Sequence, residues 1–153
     1  MKRKILTLAL LVKEGKILLG MKKRGFGAGR YNGFGGKVQE GESIEAAAKR
    51  ETLEECGLSI TAMEEVGVHE FRFVANPDEV LEVHVFRVNA FEGVPIETEE
   101  MKPDWFDIER IPYDSMWPDD RLWLPTFLAG KKFQASFLFG KEDVVLEQDI
   151  RVL

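Results

Sequence analysis

The chain is short of the residues that would staple it covalently or anchor it in a membrane. Cys56 is its only cysteine, so no disulfide can form within it and a reducing compartment is the simpler setting. Placed just before a glycine that ends a helix, Cys56 reads as a small packing residue. Histidine is scarce too. His69 and His84 lack metal-ligand spacing with that cysteine, which argues against a structural zinc site. Both sit in strand-like segments with apolar neighbours and are assigned to structure. Long hydrophobic runs are missing. The apolar run Ile5–Val12 ends in charge without a small-residue cleavage site, so it reads as a strand and not as a secretory leader. Nothing approaches the ~18 apolar residues of a membrane span. Positive charge is also in deficit, with 21 Lys and Arg against 27 Asp and Glu and a net charge of −6. A duplex DNA binder generally needs a basic footprint, so neither a nucleic acid nor a membrane is the expected partner.

What is present fits a soluble globular protein, with 44% hydrophobic and 31% charged residues. A chain of 153 residues is expected to form one domain over 1–153 with a substantial core. The runs Ile5–Val12 and Ile17–Met21 flank Lys13-Glu14-Gly15-Lys16 and predict a hairpin. A glycine-dense stretch follows, from Gly25 to Gly36, and argues for tight turns and close backbone approach to a ligand. It is not a Walker A loop, because Val38 follows Gly36-Lys37, and it does not have the offset of a Rossmann turn. Lys22, Lys23, Arg24 and Arg30 cluster there as candidates for contacting an anionic substrate.

Ser43 predicts an N-cap for a helix over 44–56 that stops at Gly57. Strands are expected over 59–74 and 80–90, joined by a turn at Ala75-Asn76-Pro77-Asp78. A short strand over 102–106, a helical turn over 108–111 ended by Pro112, and a helix over 119–129 follow, Pro125 lying in that helix's first turns or bending it. A hairpin of 133–139 and 144–152 closes the chain. The sum is an α+β fold, a sheet sandwiched by helices.

The chemistry concentrates in Gly36–Leu58, GKVQEGESIEAAAKRETLEECGL. On a helix, positions three and four apart share a face, so Glu51, Glu54 and Glu55 are expected to converge. Three like charges on one face need a positive partner, and hard oxygen ligands point to Mg²⁺ or a similar cation. Further on, Asp119 and Asp120 are adjacent. Burying both makes full ionisation costly, and a pair sharing one proton presents either a donor or an acceptor to a base edge. The alternative is that they mark a helix N-terminus, where Asp is favoured. Trp117 beside them offers a flat face for a purine, as does Phe26 in the glycine loop.

The spacing of Gly36, Glu42, Arg50, Glu51, Glu54, Glu55, Gly57 and Leu58 resembles the Nudix box, with Thr52 where a bulky aliphatic residue is usual. Beyond the box, GMKKRGFGAGRYNGFGGKVQEGE, VHVF at Val83–Phe86 and MWPDD at Met116–Asp120 resemble the oxidised purine nucleoside triphosphatase branch of that family. Tyr31 and Leu122 depart from the Trp and Tyr of close relatives. The resemblance implies an α/β/α Nudix sandwich with a mixed sheet. It implies Mg²⁺-dependent hydrolysis, with Mn²⁺ a possible substitute, of 8-oxo-dGTP, 2-hydroxy-dATP and O6-methyl-dGTP to the monophosphate and pyrophosphate. Glu51, Glu54 and Glu55, with the Gly36 carbonyl, would hold the metal; Arg50 would orient Glu51, and Glu54 or Glu55 would act as general base. Thr7, Lys22, Phe26, Asn32, Phe71, Phe73, Met101, Trp117, Asp119, Asp120 and Trp123 would line the nucleotide pocket. A cytoplasmic monomer, with nuclear or mitochondrial copies, is the expectation. The rivals are another Nudix specificity, such as a dinucleoside polyphosphate or capped RNA, a non-catalytic nucleotide sensor, and a metal-independent binding module.

Overall fold

The computed structural model describes residues 1–153. Its strands are β1 (Lys2–Lys13), β2 (Lys16–Lys22), β3 (Tyr31–Asn32), β4 (Ser59–Phe73), β5 (Asn76–Glu92), β6 (Met101–Asp107), β7 (Phe133–Phe139) and β8 (Val145–Val152). Its helices are α1 (Ile44–Cys56) and α2 (Asp120–Leu128). All strands join one mixed sheet, in which β1 runs parallel to β5 and β4 parallel to β7 while the other pairs are antiparallel.

Both faces of the sheet are covered, which is why β1 reads as a continuous apolar run rather than an alternating one. Leu8 and Leu10 pack into a cluster with Trp123, Leu124 and Phe127 of α2. Their neighbours Ala9 and Leu11 point the other way, into a cluster with Cys56 and Leu58 at the end of α1. The α/β/α arrangement with a mixed sheet is therefore as expected. Burial of each large side chain contributes about 1.5–3 kcal/mol relative to exposure, so the two faces share the work of holding the sheet.

The short β3 has no counterpart in the sequence pattern. β1 and β2 pair only at their hairpin end, through Leu11↔Leu18 to Lys13↔Lys16. Where they separate, the chain from Tyr31 to Val38 runs between them. Tyr31 and Asn32 pair with β2, while Phe34, Gly36 and Val38 exchange backbone hydrogen bonds with Ala9, Thr7 and Ile5 of β1. Gly35 allows this wedge, because a Cβ there would lie 1.8 Å from the Thr7 carbonyl oxygen.

Three local expectations change. The turn between β4 and β5 is Val74-Ala75, and Phe73 pairs with Asn76. Pro77, lacking an N–H, falls where the register between the strands shifts, a position that needs no ladder bond from it. Residues 108–111 form no helix; the helical turn is the 3₁₀ segment Tyr113–Ser115, beyond Pro112. Proline disfavours helical backbone in the residue before it, so Ile111 cannot extend a helix into it. Finally, α2 begins at Asp120 and carries Pro125 in its interior.

Candidate active site

The α1 helix is set by its ends. Ser43 Oγ accepts from Ala46 N at 3.1 Å, and Gly57 closes the helix at φ 77°, a conformation costly for any residue with a Cβ. Between them, Arg50 organises the acidic face. Its guanidinium donates twice to Glu42, at 2.7 and 2.9 Å, and once to Glu51 at 2.9 Å. It reaches Glu54 only at 3.4 Å and also binds the Lys37 carbonyl at 3.1 Å. The bidentate bond, helped by Gln39 N, holds the Glu42 carboxyl down at about 2. Glu51 lies against Gly36 so closely that a Cβ on Gly36 would meet its carboxylate at 2.7 Å.

Glu55 lies against the neighbouring glycine, Gly35. It is buried, and its Oε1 accepts from Gly35 N at 2.8 Å. Burial, reinforced by the charge of Glu51, pushes its pKa up to about 8. No three Asp, Glu, His or Cys side chains gather as a preformed cation site. Arg50 already compensates Glu51 and Glu54, which removes the electrostatic reason for them to crowd around a single position. The donors nonetheless fit a hard divalent cation. They are carboxylates and the Gly36 carbonyl, which accepts from Thr7 N at 2.9 Å and keeps its second lone pair.

Glu55 and Gly36 open onto a cavity of about 260 Å³, near the lower end of the ~300–1,000 Å³ common for small-molecule sites. All eleven side chains expected to bind nucleotide line it. Thr7 of β1 is buried there, and Lys22 and Asn32 come from β2 and β3. Asn32 Oδ1 accepts from Gly33 N at 2.8 Å, which fixes the amide and leaves its N–H groups for a ligand. Met101 enters from β6, filling the space that Gly20 leaves on β2. On β4, Phe71 and Phe73 stack on Phe137 and Phe139 of β7 at 5.6 and 5.2 Å, as the parallel register requires. Phe26, two-thirds exposed, covers Trp117 at 5.0 Å, and the Arg30 guanidinium lies 4.1 Å from the Trp117 ring.

The acid pair is buried in the same cavity. Asp119 precedes α2 but makes no side-chain cap. Its Oδ2 instead accepts the indole N–H of Trp123 at 2.8 Å. The pair does stand at the N-terminus of α2, but the Asp119 side chain does not cap it. Burial raises Asp119 to about 6, and burial together with the Asp119 charge raises Asp120 well above the ordinary carboxylate range. Both shifts favour the protonated acid, and a pair that shares one proton offers both a donor and an acceptor.

The basic cluster is less available than its sequence suggests. Lys23 and Arg24 are paired with Glu97, Glu99 and Glu100, and Arg30 with Asp143. Of the four, Lys22 alone lines the cavity. The histidines diverge. His84 bridges Glu65 and Glu82, whereas His69 is fully buried and lines the cavity. Sequence reasoning missed His69 together with Leu81, Val83 and Phe139. The period-two register of His69 with Phe71 and Phe73 is the signal that could have placed it.

Comparison with known proteins agrees with this geometry. Residues 1–127 match the model of the NUDIX domain. The chain is 52% identical over 147 residues to the oxidized purine nucleoside triphosphate hydrolase of Danio rerio, covering 96% of this chain and 94% of that protein. It is 51% identical over 148 residues to the Mus musculus protein of the same name, covering 97% and 94%. The fold of a MutT protein from Bacillus halodurans superposes with a TM-score of 0.84 at 22% identity, over 96% of this chain and 97% of that one.

Proposed function

Because the chain belongs to the NUDIX family, we propose that it hydrolyses oxidised purine nucleoside triphosphates to the monophosphate and pyrophosphate. Its substrates on this reading are 8-oxo-dGTP, 2-hydroxy-dATP and O6-methyl-dGTP, and its role is to keep mutagenic nucleotides out of DNA. The observation that carries the reading is the buried Asp119–Asp120 pair in an aromatic cavity that also contains Glu55 and Gly36. One site thus holds a base reader and the carboxylate end of α1. Identity of about one half over nearly the whole of two proteins named for this activity supports it.

Nudix hydrolases generally need a divalent metal. We assign Mg²⁺, with Mn²⁺ as a substitute, to Glu51, Glu54, Glu55 and the Gly36 carbonyl. The bound ion supplies charge neutralisation at the phosphate oxygens and lowers the pKa of water. The chain's own residues do the rest. Arg50 fixes Glu51 against Gly36, and Gly35 N fixes Glu55. Glu54, more than half exposed and held only at 3.4 Å, is the carboxylate freest to take a proton from water. Lys22 faces the phosphates, Asn32 and the acid pair hold the base edge, and Trp117 and Phe26 cover its face.

A monomer acting on a small nucleotide, without a nucleic-acid partner, is consistent with the net charge of −6. The lone buried thiol of Cys56 suits a cytoplasmic setting, with a nuclear or mitochondrial fraction. The test is pyrophosphate release from 8-oxo-dGTP, 2-hydroxy-dATP and dGTP with Mg²⁺ and with EDTA. Preference for the oxidised bases, abolished by EDTA, is expected. Equal turnover of dGTP would remove the specificity and keep the hydrolase.

A further inference from the structure

We propose that His69 is a specificity-determining residue of the base cavity, where its imidazole hydrogen-bonds a polar atom on the edge of the bound purine. The inference rests on the reading of the cavity as a purine site. His69 has no exposed surface, and neither Nδ1 nor Nε2 has a hydrogen-bond partner in the protein. Buried polar groups are satisfied in the great majority of cases, so a ring with both nitrogens free calls for a ligand. The same cavity contains a third free polar atom, Oδ2 of Asp120.

The fold offers the His69 nitrogens no hydrogen-bond partner. Its neighbours across β4 are Val83 and Ala135, and its ring meets Phe71, Phe133 and Phe137. An apolar side chain would suit those contacts better. What singles out the position is Trp123, whose ring lies 4.4 Å away, edge-on, while its indole N–H holds Asp119. His69 is thus one side chain removed from the acid pair. Burial depresses its pKa to about 3, so the ring is neutral and carries one N–H donor and one acceptor nitrogen. With the acid pair it adds a second group able to exchange donor and acceptor roles by moving a proton. A base whose oxidised edge changes the hydrogen-bond pattern finds a matching arrangement there.

The experiment compares wild type with His69→Leu and His69→Gln. Affinity for 8-oxo-dGMP and dGMP is measured by calorimetry, KM and kcat on 8-oxo-dGTP, and Tm on each variant. His69→Leu should weaken 8-oxo-dGMP binding about tenfold or more and raise KM, with kcat moving less than about threefold. Its Tm should be unchanged or higher, because an unsatisfied buried polar group has gone. His69→Gln, which restores a donor and an acceptor, should stay within about threefold of wild type. Unchanged affinity in His69→Leu, or equal losses in both variants, would overturn the proposal in favour of a packing role. Should Leu lower the Tm, His69→Met gives a second apolar side chain for the same comparison. A wild type that binds dGMP as well as 8-oxo-dGMP contradicts the proposed function. The ratio between wild type and His69→Leu on either nucleotide still decides what His69 does.

Discussion

Trp123 donates its indole N–H to Asp119 at 2.8 Å inside a wall where both side chains are at most 2% exposed. That bond positions one oxygen of Asp119 and leaves the rest of the acid pair for a ligand. It lowers the pKa of Asp119 but does not offset burial, which holds it at about 6.

A raised carboxyl pKa has a definite consequence for stability. The ordinary value is about 3.9, so the protonated carboxyl is favoured by folding. Its contribution is complete below that value and is lost as pH rises through about 6. Urea unfolding at pH 4.5 and 7.5 should therefore show Asp119→Asn gaining on wild type at the higher pH. Asn keeps an acceptor for Trp123 and carries no charge. An unchanged difference between the two pH values would contradict the assignment.

Gly36 and Gly35 should respond differently to alanine. At Gly36 the added Cβ meets the end of the Glu51 side chain at 2.7 Å, which can swing away from Arg50. Gly36→Ala should fold, bind nucleotide nearly as wild type, and lose on the order of 10²-fold in kcat, the cost of disturbed metal positioning. At Gly35 the clash is with the Thr7 backbone at 1.8 Å. Gly35→Ala should fail to give soluble, cooperatively melting protein. Circular dichroism and single-turnover rates separate the two.

Glu55→Gln should lower kcat on the order of 10²-fold, about 3 kcal/mol of transition-state stabilisation. The metal-free protein should melt no lower than wild type, because Gln removes a buried carboxyl and retains the acceptor for Gly35 N. Near-normal turnover would remove Glu55 from the metal site.

Thr52 is fully buried and its hydroxyl has no partner. It occupies the box position where an aliphatic residue is usual. An unsatisfied buried hydroxyl costs about 1–3 kcal/mol, so Thr52→Val should raise the Tm by several degrees without changing kcat. A lower Tm would mean that the hydroxyl is satisfied within the fold.

What was legible in the sequence was local. Ser43 and Gly57 bound α1 to the residue because capping depends on neighbours three and four positions away. The eleven cavity residues came from the resemblance to the oxidised purine nucleoside triphosphatases, and all of them line the cavity. What escaped depends on contacts between distant segments. The wedge of residues 31–38 exists because β1 and β2 part company, and no local pattern announces that. The bond from Arg50 to Glu51 was expected and is present, but its sharing with Glu42, eight residues earlier, was not. His69 looked structural because its strand is apolar, and only the cavity shows that its nitrogens are free.

The central claim is that two buried carboxyls, sharing a proton, let one cavity read both oxidised guanine and oxidised adenine. The direct measurement is the ratio of kcat/KM for 8-oxo-dGTP to that for 2-hydroxy-dATP, in wild type and in Asp120→Asn. Asn fixes a donor and an acceptor in place and cannot exchange them by moving a proton. The ratio should shift about tenfold or more, equivalent to ~1.4 kcal/mol of lost discrimination. Equal losses on both substrates, or none, would contradict base reading by the pair.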